Sequence, residues 1–434
     1  MKRPLRVLSL LLIGAVVGAC ASTPPGLVAS PTAPAASGAA RVAPDMVIAW
    51  NAIAQRTAIT NAKQFQTQSM VYISYVQAAV YDAVVAIGGR YKPYTKSLSA
   101  RAGASMDAAV AQAAHDVLVR YFASQQAELD ADLAKSLGVF SEGAAKSDGI
   151  ALGKDAAEAL FARRAGDGIE ADTGFAVPKA APGVWQPPAG QGPQTPWVAK
   201  MHPFTLEKSD QFRPAPFPAL TSPEWAQLYN EVKSLGGSNS TTRTAEQTDI
   251  AKFWSTNAIA QYNTAFKSIA QSRGLDAVDT ARLYAMGNVV GVDALIACFD
   301  AKYFYLNWRP QYAIPQGEAD GNPDTAGDTA WTPLLATPNH PEYPAAHGCL
   351  TGAEARVFTA FLGTDRINVD LTSTVPGLQA TTRHYNTADE LMTEVTNARV
   401  WGGLHYRKSA TEGLEIARKV ATFSLTRYFG PATP

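Results

Sequence analysis

Three clusters in the last third of the chain carry residues whose types and spacing could do chemistry. The first is Lys302-Tyr-Phe-Tyr-Leu-Asn-Trp-Arg309-Pro310. Lys302 closes an almost wholly apolar helical stretch from Ala277 to Phe304. Arg309, seven residues on, shares its face if the helix persists. Asp293 and Asp300 fall opposite Lys302 on the helical wheel, so these buried cations must find an anion elsewhere. The second cluster is Pro338-Asn-His340-Pro-Glu-Tyr343-Pro-Ala345-Ala346-His347-Gly348. Its Pro-rich turn delivers His347 to the start of a helix running through Leu350, Ala353, Val357 and Phe361. There the free N–H groups, Ala346 among them, and the positive dipole end favour an oxyanion. In the third cluster Leu391, Val395 and Arg399 are spaced by four, which places Arg399 on an apolar stripe. Gly402 and Gly403 then break the helix and let His405 turn towards whatever Arg399 faces. Taken singly, Lys302 reads equally as a snorkelling lysine, Arg309 as a surface arginine and His347 as a helix-start histidine. Together, three cations, one helix start and two imidazoles form a pocket for a tetrahedral oxyanion.

Helices must position these groups. Apolar residues recur at three- and four-residue spacing along most of the chain, and no alternating strand pattern stands out. Val71 to Ile87 reads as a buried helix, Ala104 to Tyr121 as an Ala-rich one. Thr244-Ala-Glu-Gln247 and Thr387-Ala-Asp-Glu390 are capping boxes. Nine of the 28 prolines fall between Pro182 and Pro218, beside Trp185, Trp197, Phe204, Phe212 and Phe217. That density forbids regular helix, and the aromatics predict an ordered strap packed across the helices. The fold class is therefore all-α, with a helical half on each side of the strap: 45–181, the strap 182–218, and 219–434 with the oxyanion site.

Charge and length narrow the function. Lys+Arg and Asp+Glu number 37 each and 47% of the residues are hydrophobic, in a chain of 434. Such a chain builds a large core and carries no excess of positive charge for nucleic acid. There is no P-loop, dinucleotide Gly fingerprint, His-Glu-x-x-His or Gly-x-Ser-x-Gly. Residues 1–20 have a basic start and a short apolar run, the pattern of an export signal. Val17-Gly-Ala-Cys20 resembles a bacterial lipobox, making Cys20 the expected lipidation site. Residues 21–44 are an Ala/Pro/Ser-rich tether. The expectation is a lipid-anchored protein of the bacterial cell envelope. Cys298 and Cys349 either pair or stay as separate buried thiols.

The three clusters, in order and spacing, resemble the Lys-x6-Arg-Pro, Pro-Ser-Gly-His and Arg-x5-His pattern of the type 2 phosphatidic acid phosphatase and vanadium-dependent haloperoxidase superfamily. GNPDTAGDTAWTP, HPEYPAAHG, ARVWGGLHY, QAAVYDAV and RTAEQTDIAKFW look like its bacterial haloperoxidase branch. The resemblance implies a helical bundle with the site in its C-terminal part. It implies vanadate as cofactor on His405, with Lys302, Arg309 and Arg399 neutralising the oxygens and His347 moving protons. Substrates would be peroxide and halide. The alternative is a metal-free acid phosphatase acting on a phosphate ester through a phosphohistidine at His405. A third reading is a non-catalytic oxyanion-binding lipoprotein. Two departures matter. Ala345 replaces the pattern's serine hydroxyl, and Ser409 stands where an acidic residue often follows the last histidine. His340, Trp308 and Tyr343 are candidates for the pocket rim, and His384 for its edge; His115 and His202 read as structural.

Overall fold

The computed structural model describes residues 42–432. The leader, Cys20 and all but the last three tether residues lie outside the described residues. The described chain is all-α, with thirteen α-helices and one short strand pair. The N-terminal half holds α1 (Asp45–Gln55), α2 (Gln66–Gly88), α3 (Met106–Tyr121), α4 (Gln126–Leu137) and α5 (Ala144–Arg163). After the strap come α6 (Pro223–Gly236), α7 (Ala245–Phe253), α8 (Ala258–Ser272), α9 (Ala277–Tyr305) and the single turn α10 (Pro310–Ala313). The C-terminal part is α11 (Ala346–Leu362), β1 (Val369–Thr372), β2 (Thr382–Tyr385), α12 (Ala388–Trp401) and α13 (Arg407–Leu425).

Among the described residues two helices, α2 and α9, are long and apolar enough to cross a bilayer, yet 89% and 100% of their most apolar stretches are buried inside the protein. They are the central rods of the core, and apolar side chains on every face are what such a position requires. Both capping boxes form: Thr244 with Gln247 starts α7, and Thr387 with Glu390 starts α12.

The strap is ordered by α9. Between α5 and α6 the only helical element is a 3₁₀ turn, Pro196–Lys200. Trp185, Trp197 and Phe204 are buried beneath it. Asp293 accepts from the backbone N–H of Phe204 at 2.6 Å and of Thr205 at 2.7 Å, and Asp300 pairs with Arg213 at 2.7 Å. The two acids that face away from Lys302 on the helical wheel are thus the pins of the strap.

Two expectations change. Residues 369–385 contain an antiparallel strand pair, with Val369 opposite Tyr385, too short to show an alternation in sequence. In addition, α9 stops at Tyr305 with Leu306 in the left-handed region (φ 55°). Arg309 therefore shares a site with Lys302 because the chain turns back, not because one helix carries both. It sits immediately before α10, whose first residue is Pro310.

In the C-terminal bundle α11 packs against α13, α9 and α12. The crossing with α13 is close enough to demand glycine. A Cβ at Gly348 would lie 2.5 Å from the Ala410 carbonyl, and one at Gly413 2.7 Å from that of Ala345. This contact clamps the start of α11 beside the start of α13, which brings His347 towards His405.

Candidate oxyanion site

Lys302 is fully buried and donates to the carbonyls of Pro341 at 2.9 Å and Glu342 at 3.0 Å. Arg309, also fully buried, donates from Nε to the His340 carbonyl and from Nη1 to the Leu404 carbonyl and His405 Nε2 (2.9 Å). Its Nη2 donates to His340 Nδ1 at 3.0 Å. A guanidinium only donates, so His340 Nδ1 and His405 Nε2 both accept. His340 then carries its proton on Nε2, and the 3.2 Å approach of its Nδ1 to the Pro341 carbonyl is a contact between two acceptors.

At the end of α12 the chain reverses through Gly403 (φ 73°), where a Cβ would lie 2.4 Å from the Gly236 carbonyl. The N–H groups of Leu404 and His405 return to the Arg399 carbonyl, so the loop is wound tightly and His405 faces inward. Its Nδ1 meets Glu342 Oε1 at 2.9 Å. Arg399 is 2% exposed, and its one hydrogen bond is a 3.4 Å contact to the Trp254 carbonyl; its Nε is unpartnered. The Nε2 of His347 is likewise buried without a partner.

Both residues line one cavity of roughly 90 Å³, with His340, Ala346 and His405, Gln66, Thr67, Gln194 and apolar residues from α8, α9 and α11. On the same measure a single water needs about 10–15 Å³, so the cavity takes a guest of several heavy atoms. Lys302 and Arg309 stand behind this wall rather than in it. The positive end of α11 points here too, and Ala345 at its N-cap supplies no side-chain cap. An oxyanion fits such a donor set; its negative charge would also answer the Arg399 guanidinium, which has no carboxylate of its own.

Burial dominates the electrostatics. It pushes Lys302 down to about 8 and Arg309 down to about 10. Arg399 falls to about 9, by burial and then by repulsion from Arg309. His340, His347 and His405 are held well below the usual imidazole range, first by burial and then by these cations. All three rings are neutral at pH 7. Burial pushes Glu342 up to about 7 against the pull of Ser409, Arg309 and Lys302.

The residues singled out in the sequence divide cleanly. Lys302, Arg309, Ala346, His347, Arg399, His405 and His340 come together. Trp308 and Tyr343 do not line the cavity: Trp308 stacks on Trp225 in a second core, and Tyr343 packs on Phe217 with its hydroxyl on the Ala215 carbonyl. His384 is half exposed and bonded to Asp370. His115 bridges Asp116 and Asp130, and His202 touches the Pro203 carbonyl. Cys298 and Cys349 are buried free thiols. Sequence reasoning missed Glu342, Trp254, Gln66, Thr67 and Gln194. Glu342 lies inside the second motif and Trp254 closes the RTAEQTDIAKFW segment, so both were in view; no local pattern marks the other three.

Residues 282–430 match the family model described as the VCPO second helical-bundle domain. Vanadium chloroperoxidase of Curvularia inaequalis is 27% identical over 246 residues, which are 42% of this chain and 40% of that protein. The match thus spans about two fifths of that relative's length. Among solved structures, a bacterial vanadium-dependent iodoperoxidase superposes with a TM-score of 0.77 at 23% identity, covering 92% of this chain and 99% of its own. A holo-type bacterial vanadium-dependent chloroperoxidase gives 0.69 at 18%, with 83% and 92% covered. At those identities the shared feature is the fold. The resemblance carried by the three motifs is borne out.

Proposed function

Taking the C-terminal part of the chain as a vanadium-haloperoxidase-type helical bundle, we propose that the protein is a haloperoxidase that oxidises halide with hydrogen peroxide. The observation that carries the proposal is that Arg399 and His347, each with a buried and unpartnered side-chain nitrogen, line the same cavity as His405. His405 would hold vanadate through Nε2. Arg399 would neutralise it from the wall, with Lys302 and Arg309 acting from behind. When bound, vanadate supplies Lewis acidity that makes peroxide electrophilic towards halide. The chain's own part is binding, orientation and proton handling. His347 is neutral, so it can take a proton from entering peroxide and return it to the departing oxygen. The apolar lining from Ile259, Leu295 and Leu350 limits water around the site and strengthens each charge in it.

The carboxylate beside His405 supports a second reading, acid phosphatase. The acid missing at position 409 counts against that chemistry, but Glu342 occupies the role from another loop, and His405 Nε2 could then attack phosphorus. Parallel assays separate the readings. The mature chain, incubated with orthovanadate, is tested for bromination with peroxide and for hydrolysis of a chromogenic phosphate ester. Vanadate-dependent bromination is the expected result; hydrolysis inhibited by vanadate replaces it with the second reading. Binding of the anion without either activity leaves a non-catalytic oxyanion-binding lipoprotein. The leader ending at Cys20 supports a lipid-anchored enzyme of the cell envelope, and Cys20→Ser should move the protein from the membrane to the soluble fraction.

A further inference from the structure

We propose that Glu342 is the positioning residue for His405, standing in for the acid absent at position 409. Three donors converge on its fully buried carboxylate. His405 Nδ1 lies 2.9 Å and the Tyr406 N–H 3.1 Å from Oε1, and the Ser409 hydroxyl is 2.6 Å from Oε2. A backbone N–H can only donate, so Oε1 is an acceptor. The other side of the imidazole gives the same answer independently. Arg309 can only donate to Nε2, so the ring proton must sit on Nδ1, facing Glu342. The carboxylate is itself held in place. The Glu342 N–H donates to the Asn307 carbonyl at 2.9 Å, and the Glu342 carbonyl accepts from Lys302 at 3.0 Å. Ser409, four residues after His405, reaches the same carboxylate, so position 409 supports the acid instead of supplying it.

The consequence, once Glu342 is ionised above about pH 7, is a His405 whose Nε2 lone pair faces the oxyanion and is made more electron-rich by the negative charge behind Nδ1. This rests on the oxyanion reading only for its effect on binding; the Nδ1–H···Glu342 bond stands without any ligand.

The experiment uses the mature full chain without vanadate. Its proton spectrum should contain a far-downfield Nδ1–H signal that disappears in His405→Ala. Glu342→Gln, which keeps shape and removes charge, should move that signal upfield and weaken binding of inorganic phosphate and of orthovanadate by about 10- to 100-fold. Ser409→Ala, a small change that should fold even if Glu342→Gln does not, removes one donor from the carboxylate. The remaining bond to Nδ1 strengthens, so the signal should move further downfield. A His405 signal unmoved by either variant overturns the proposal, as does unchanged anion affinity in a folded Glu342→Gln protein. A wild-type chain that binds neither anion but shows both shifts refutes the oxyanion reading alone.

Discussion

Arg309 Nη1 lies 2.9 Å from His405 Nε2, which means the lone pair proposed to meet the oxyanion is already satisfied by a cation. Oxyanion binding must displace this contact, leaving Arg309 to donate to the guest instead. Arg309→Lys keeps the charge but cannot serve His340, Leu404 and His405 at once. A charge-assisted hydrogen bond is worth about 1.5–3 kcal/mol, so orthovanadate affinity measured by calorimetry should fall tenfold or more. Undiminished affinity would take Arg309 out of the binding step.

Arg399 should stabilise the guest at the expense of the fold. It is 2% exposed and has one long hydrogen bond. Replacing buried charges with packed apolar groups is often neutral or stabilising, by about 1–4 kcal/mol. Arg399→Met is expected to raise the urea midpoint and abolish anion binding together. A lower midpoint with binding retained contradicts this role.

Ala345 has the backbone of an N-cap (φ −77°, ψ 121°) with no side-chain oxygen to cap α11. Ala345→Ser should stabilise the protein by about 1 kcal/mol and supply a hydroxyl next to Ala346, which lines the cavity. Thermal unfolding and vanadate titration should both improve. If neither changes, the hydroxyl has no place there.

Glu354, on α11, is fully buried with neither carboxylate oxygen partnered, and burial holds its carboxyl well above the usual range. In the unfolded chain the same group ionises near about 4.3. Above that pH the unfolded state therefore binds fewer protons than the folded one. Stability falls as pH rises, by at most about 1.4 kcal/mol per unit, until the folded carboxyl ionises. Glu354→Gln removes this term, so its advantage over wild type should widen between pH 5 and pH 7 in urea unfolding. Parallel curves would contradict it.

What was legible in the sequence follows the range of the interactions. Arg399 was readable because Leu391 and Val395 share its helical stripe, and helical period is a local property. The capping boxes, the buried α2 and α9 and the Gly402-Gly403 break were readable for the same reason. Arg309 was identified by motif but not by route, since the left-handed Leu306 that ends α9 has no strong local signal. Glu342 escaped notice because its partner is 63 residues away and no periodicity links them. Gln66 and Gln194 reach the cavity from the N-terminal half and the strap, which only tertiary packing brings near the C-terminal bundle.

One oxyanion is proposed to sit in the cavity that Arg399, His347 and His405 line together. A crystal of the mature chain soaked in orthovanadate tests it directly. Vanadium density should appear bonded to His405 Nε2, with the side chains of Arg399 and His347 within hydrogen-bonding distance of its oxygens. Density bound elsewhere, or none at saturating vanadate with Arg309 still on His405, would contradict it.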